Sequence, residues 1–305
     1  MKKNLPIILI ALVFLLGVGI LSYPLVSSVI NNIDARNSAV EYFNEVHKMP
    51  NSEYEKLFKE AEEYNISLTD NVILTDPFDE EAYNKIGANY KQTFNTRSDG
   101  LIGYIDVPKI NVYLPIFHGT DKDVLAKAAG HLENTSFPIG GKSTHSVISA
   151  HSAYPGETFF DYLTDIKEGD SFYVHVLNRT LKYEVDQIKV VLPENVKDLY
   201  IESGKDYVTL LTCTPYTINT HRLLVRGKRV KYTEPEERAV NKTAPLSLFD
   251  DGLFFFGYKL TLPVIAILIA AFIAIVIIVS VILIKRGKKN PKHLKPSSKG
   301  GESDE

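Results

Sequence analysis

One cysteine in 305 residues rules out an intramolecular disulfide, so Cys213 is left with intermolecular pairing or a free thiol. Exported proteins often rely on disulfides, yet both ends of this chain mark its middle as exported. A basic excess is also missing. The formal net charge is −3, and without Lys2, Lys3 and the tail after Ile284 the remainder stands near −9. No basic patch marks a nucleic-acid surface. There is no internal repeat, no metal-ligand cluster and no Gly-rich phosphate-binding loop, so the sequence offers no basis for a metal or cofactor.

Two long hydrophobic runs are present. Leu5 to Ile20 carries no charge, and less regular apolar sequence continues to Ile30. Leu260 to Ile284 is also uncharged and, as a helix, is long enough to cross a hydrocarbon core of about 30 Å. KRGKKNPKHLK follows it, and basic flanks favour the cytoplasmic side. Lys2 and Lys3 place the first end inside as well. The expected order is an anchor over 1–30, an external region over 31–259, a second span over 260–284 and a basic cytoplasmic tail over 285–305. Phe254, Phe255, Phe256 and Tyr258 fit an interfacial aromatic belt. A cleaved signal peptide is the alternative for the first run. That run is longer than the usual apolar core of about 7–15 residues and lacks an A-x-A site. Either reading exports the middle.

Residues 31–98 read as helical. Ser52-Glu53-Tyr54-Glu55 has the form of a capping box opening YEKLFKEAEEYN. Asp76-Pro77 breaks the pattern, because the residue before proline is pushed out of the helical region. A second helix is expected after Phe78. From Asp99-Gly100 to about residue 233 the pattern turns to short strands: LIGYIDV and INVYLPIF around Pro108-Lys109, then HSVISAH, SFYVHVL, TLKYEVDQIKVVLP, YVTLLTC and HRLLVRGKRVKY. Thr120 or Asp121 can cap a short helix, DVLAKAAGHL, between the second and third of these, and Asn178-Arg179 marks a hairpin. Many short strands with few helices predict a mainly β fold closing as a barrel. Residues 234–259 read as a juxtamembrane linker.

Alternation along a strand sets Thr209, Leu211 and Cys213 on one face and Val208, Leu210 and Thr212 on the other. Cys213 closes its strand just before Thr214-Pro215. The count alone leaves a buried, inert cysteine open, but strand ends are where scaffolds present reactive groups. A reactive thiol needs cationic neighbours to favour its thiolate. Of eight histidines, His293 lies in the tail, His47 in the first helix and His175 inside a strand, while His118, His131, His145 and His221 stay open. His151 stands out, ending the apolar strand VISAH before Pro155-Gly156, and is the candidate general acid and base. Arg222 and Arg226 follow Cys213 on the next strand with the same parity, so spacing does not choose between them. The nearer one is better placed to face a tetrahedral intermediate.

TLLTC, Arg222 within NTHRLLVRG, and ISAH upstream together resemble the sortases, the membrane-anchored cysteine transpeptidases of Gram-positive bacteria. The resemblance covers about 100–232 and implies an eight-stranded β-barrel with His151, Cys213 and Arg222 as catalytic residues. The second span, together with Asp76-Pro77-Phe78, is similar to the class C, pilin-polymerising sortases. That likeness implies a lid, Asp76 pairing with Arg222 and Phe78 lying over Cys213. It also implies pilin substrates with an LPxTG-like signal, cleaved between Thr and Gly and joined to a lysine.

Three other readings compete. An L,D-transpeptidase normally carries SHGC-x-R, whereas Leu211-Thr212 precede Cys213 here and Arg222 lies well beyond it. A housekeeping sortase would anchor proteins to peptidoglycan. A non-enzymatic tethered scaffold would make the thiol incidental.

Overall fold

The computed structural model describes residues 37–68, 74–79, 88–95, 99–155 and 157–232, isolated residues before position 37, and the segments 253–255 and 258–260. The two expected membrane spans and the tail lie outside the described residues, apart from isolated positions. Among the described residues no helix is long and apolar enough to cross a membrane.

Eight strands carry the fold: β1 Leu101–Val107, β2 Val112–His118, β3 Ala129–His131, β4 Thr144–Ser149, β5 Ser171–Val176, β6 Arg179–Val191, β7 Asp206–Thr214 and β8 His221–Val230. They close as a barrel in the order β1-β2-β3-β4-β7-β8-β6-β5, with β5 returning to β1. Two of the pairings, β2 with β3 and β4 with β7, are parallel; the others are antiparallel. The mainly β barrel expected from the strand pattern is therefore the observed fold. Ile105, Ile116, Ile148, Val174, Tyr183, Leu210 and Val225 fill its interior.

Before the barrel come α1 over 37–48, α2 at Asn51–Ser67 and the short α3 at Ala88–Gln92. The expected capping box does not form. Helix α2 starts at Asn51 behind Pro50, whose extended backbone (φ −60°, ψ 145°) supplies the entry. The Glu53 and Tyr54 amides donate to the Pro50 carbonyl at 3.0 and 3.1 Å, so Ser52 falls inside the first turn and caps nothing. Leu57, Phe58, Ala61 and Asn65 form the buried face of α2, and the Asn65 amide exchanges two hydrogen bonds with the Phe137 backbone. Tyr42 of α1 fixes one end of the barrel, its hydroxyl donating to the Ile102 carbonyl and accepting from the Leu177 amide, both at 2.9 Å. Most of the second helix expected after Phe78 lies outside the described residues. Of the two caps left open for the fourth helix, α4 at Lys122–Leu125, Asp121 is the one used: it accepts from the Val124 amide at 2.9 Å. The helix is shorter than the expected DVLAKAAGHL, because Ala129–His131 pair with β2 and β4 as β3 instead. Separately, Leu253–Phe255 pairs with Tyr258–Leu260 as a two-stranded hairpin, within the expected linker and the first residue of the expected span.

Gly103 lies where β1 passes between β2 and β5, and a Cβ there would stand 2.2 Å from the His175 carbonyl oxygen. That atom is backbone, so relief requires the strands to part. Gly103→Ala is expected to destabilise the fold by about 1–3 kcal/mol, read as a lower melting temperature of the full chain in detergent. An unchanged melting temperature would show that β1 and β5 can separate at no cost.

Candidate active site

The register of β7 against β8 sets Cys213 directly opposite Arg222. Strand β4 runs parallel to β7 with Ser149 opposite Leu211, and the same offset carried two residues further sets His151 opposite Cys213. Three hydrogen bonds hold this extension. The Ala150 amide donates to the Leu211 carbonyl at 3.1 Å, the Thr212 hydroxyl to the Ala150 carbonyl at 2.8 Å, and the Ser152 hydroxyl to the Cys213 carbonyl at 2.7 Å. His151 thus follows the end of β4, two residues beyond it rather than as its last residue.

The three side chains gather on the outside of the barrel. Val208 and Leu210 belong to the interior core, whereas Leu211 and Leu224 belong to a second apolar cluster on the outer face. Leu74, Leu132, Val147 and Leu199 complete this cluster, with Phe78, Val191 and Val196 packed against it. Alternation then brings Cys213 and Arg222 out on the face where Leu211 and Leu224 lie. Leu74 and Phe78 come from the chain ahead of the barrel, so residues 74–79 lie on this floor.

Asp76 meets Arg222 bidentately. Arg222 Nε donates to Asp76 Oδ1 at 2.8 Å and Nη2 to Oδ2 at 2.5 Å, while Nη1 donates to the Asn219 and His221 carbonyls at 3.0 and 3.1 Å. Every guanidinium nitrogen is occupied. Burial opposes the Arg222 charge, but the Asp76 hydrogen bonds and the closeness of Cys213 outweigh it and raise its pKa. Phe78 touches the residues flanking the thiol: its ring centroid is 5.3 Å from that of His151, and the Arg222 guanidinium lies 5.1 Å from it. Burial pushes the Cys213 thiol up to about 11, with Arg222 opposing and Asp76 reinforcing. Burial lowers the pKa of His151. At neutral pH this arrangement holds a protonated thiol beside a neutral imidazole, an unreactive couple.

Solved and curated proteins resemble this chain. The family model described as "Sortase domain" matches residues 105–230. The crystal structure of sortase C-1 from Streptococcus pneumoniae is 44% identical with a TM-score of 0.60, covering 65% of this chain and all (100%) of that one. The pilus-related sortase C of Group B Streptococcus is 47% identical with a TM-score of 0.57, covering 62% of this chain and 95% of that one. The chain belongs to the sortase family, class C. Among curated relatives, sortase D of Bacillus subtilis is 28% identical over 146 residues, covering 47% of this chain and 71% of that protein. The barrel is therefore that of a cysteine transpeptidase.

Five other histidines among the described residues of this sortase are engaged elsewhere. His118 directs its ring nitrogens at the Gly100 and Thr93 carbonyls, both at 2.9 Å. His131 meets the Tyr90 hydroxyl and the Ser136 carbonyl. His145 meets the Tyr200 carbonyl and Thr209, and burial pushes it down to about 4. His175 is buried in β5 beside Thr180. His221 neighbours Arg222 but contacts Thr220 and has the opposite strand parity. Arg226, left open against Arg222, donates twice to Asp186 at 3.0 Å and once to Glu202 at 3.1 Å, over the Tyr207 ring. Among the described residues no His, Cys, Asp and Glu group could hold a metal ion. Tyr154, Ser152 and Asp161, which pack around His151 or its loop, escaped the sequence reading; the only signal was their closeness to His151 along the chain.

Proposed function

We propose that the chain polymerises pilins, with Cys213 as nucleophile, His151 as general acid and base, and Arg222 as oxyanion donor. The observation that carries this is the bidentate Asp76 pair on Arg222, opposite Cys213: it occupies Nε and Nη2, the two donors a tetrahedral intermediate would need. The Cys213 thiolate attacks the Thr carbonyl of an LPxTG-like signal. The C–N bond to Gly breaks, and His151 delivers its proton to the leaving amine. The resulting thioester is attacked by a lysine amine of the next subunit, His151 takes the amine proton, and the C–S bond breaks to release the Cys213 thiolate as the isopeptide forms. Residues 74–79 act as a lid that leaves before substrate enters, and a site that stays partly closed around the thioester limits its hydrolysis. The two apolar runs hold the barrel outside the membrane with both ends in the cytoplasm.

The full chain in detergent is incubated with an LPxTG peptide and followed by intact-mass spectrometry. An acyl adduct on Cys213 with loss of the Gly-bearing fragment is expected, absent in Cys213→Ala. A lysine-bearing pilin peptide should then release the adduct as an isopeptide. Release only by a peptidoglycan stem amine would point to the housekeeping reading, and no adduct from any signal variant would sink the transpeptidation of such signals by Cys213.

A further inference from the structure

A general base is ordinarily aimed by a third group hydrogen-bonded to its far nitrogen. His151 has none: among the described residues no hydrogen bond reaches its ring, and no charged side chain contributes to its pKa shift. Two aromatic rings contact it instead. Tyr154 stacks on it with centroids 5.0 Å apart and planes at 19°, and Phe78 leans against it at 36°. Phe78 belongs to the lid and departs with it, under the reading above on which this inference rests. Only Tyr154 then stays beside the imidazole.

The turn carrying Tyr154 is held firmly. Ala153 adopts φ 59°, a left-handed conformation uncommon for a residue with a Cβ, and this bend lets Tyr154 fold back onto the ring three residues earlier. Asp161 holds the bend: its carboxylate accepts from the Ala153 amide at 3.0 Å and the Phe159 amide at 2.9 Å. The Tyr216 hydroxyl, on the loop that leaves Cys213, lies against the same carboxylate. The Phe160 amide donates to the His151 carbonyl at 3.0 Å, so the backbone of the base is fixed from the same loop. Phe159, in turn, lies 6.0 Å from the Tyr154 ring.

We propose that Tyr154 is a positioning residue for transpeptidation, holding the His151 ring by stacking, and that Asp161 fixes the Tyr154 turn to the loop following Cys213. Tyr154 acts through His151 and exchanges no proton itself. It replaces the missing hydrogen-bonded orienter with a flat surface, leaving both imidazole nitrogens free for proton transfer in either direction.

The test uses the full chain in detergent, with Phe78→Ala in every sample so that the lid ring cannot stand in for Tyr154. Tyr154→Leu is expected to lower kcat for acyl transfer about tenfold, with KM changed by less than about twofold, because a misaimed base slows chemistry and not binding. Tyr154→Phe keeps the stacking ring and recovers kcat to within about twofold of its parent. In parallel, His151 is titrated by NMR. Loss of a ring that favours the imidazolium should lower its midpoint by about half a pH unit in the Leu variant and not in the Phe variant. Equal kcat in parent and Leu variant overturns the proposal, as does a loss shared equally by Leu and Phe. An inactive parent whose His151 midpoint still falls with Leu alone removes the catalytic reading but keeps the stacking assignment. Identical midpoints in all three proteins overturn the stacking itself.

Discussion

Arg222→Ala is expected to lower acyl transfer by about 10²–10³-fold, the usual consequence of removing an oxyanion donor, while Arg226→Ala leaves turnover within about threefold of the parent. The two arginines share a strand face and an unbroken strand, so sequence spacing treats them alike. Their partners do not. Arg222 faces the thiol, and its Nε and Nη2 are held by a carboxylate from outside the barrel. Arg226 is built into the wall, tied to Asp186 and Glu202 and laid over Tyr207. Removing it leaves Asp186 without these two bonds and should cost on the order of 1–3 kcal/mol of stability, read as a lower melting temperature. Steady-state transfer and thermal unfolding of both variants check the pair together. A large kcat loss in Arg226→Ala at normal stability would reverse the assignment.

The second large effect concerns the thiol at rest. Burial raises Cys213 to about 11, and Asp76 adds to that shift. A raised thiol pKa means the thiolate forms only as pH climbs through the folded value, so alkylation by a small reagent should be slow at neutral pH and rise steeply above it. Asp76→Ala removes one of the raising charges and frees two donors of Arg222. Phe78→Ala removes the ring that contacts both His151 and Arg222. Either change should let water reach the sulfur and move the midpoint toward the ordinary value near 8.5, speeding alkylation at pH 7.5 by about 10–100-fold. A stopped-flow alkylation profile against pH, in both variants, measures this. Unchanged midpoints and rates would remove residues 74–79 from the control of Cys213.

The legible part of this protein was whatever a local pattern encodes. Period-two alternation and the turn residues gave seven of the eight barrel strands, from LIGYIDV to HRLLVRGKRVKY, and the parity of β7 placed Cys213 on the correct face with Leu211. Strand β3, only Ala129–His131, is too short to alternate and reads as the end of a helix. The approach of Asp76 to Arg222 came only from the family resemblance, because a contact spanning that much chain leaves no periodic trace. Ser52 misled as a cap because propensity at a helix start is overridden by the proline two residues earlier, which sets the entry by itself. Asp161 and Tyr154 were illegible for another reason: their role depends on Ala153 taking a left-handed turn, which its side chain does not announce.

Strand β7 sends one set of residues into the barrel and the other out to the reacting groups. A slip of its pairing by one position would turn Cys213 inward and deliver a leucine to the outer groove. The pairing that completes the core is thus also the pairing that arms the thiol. A misassembled barrel would be chemically silent, so a chain still searching for its fold carries no loose acylating activity along the way.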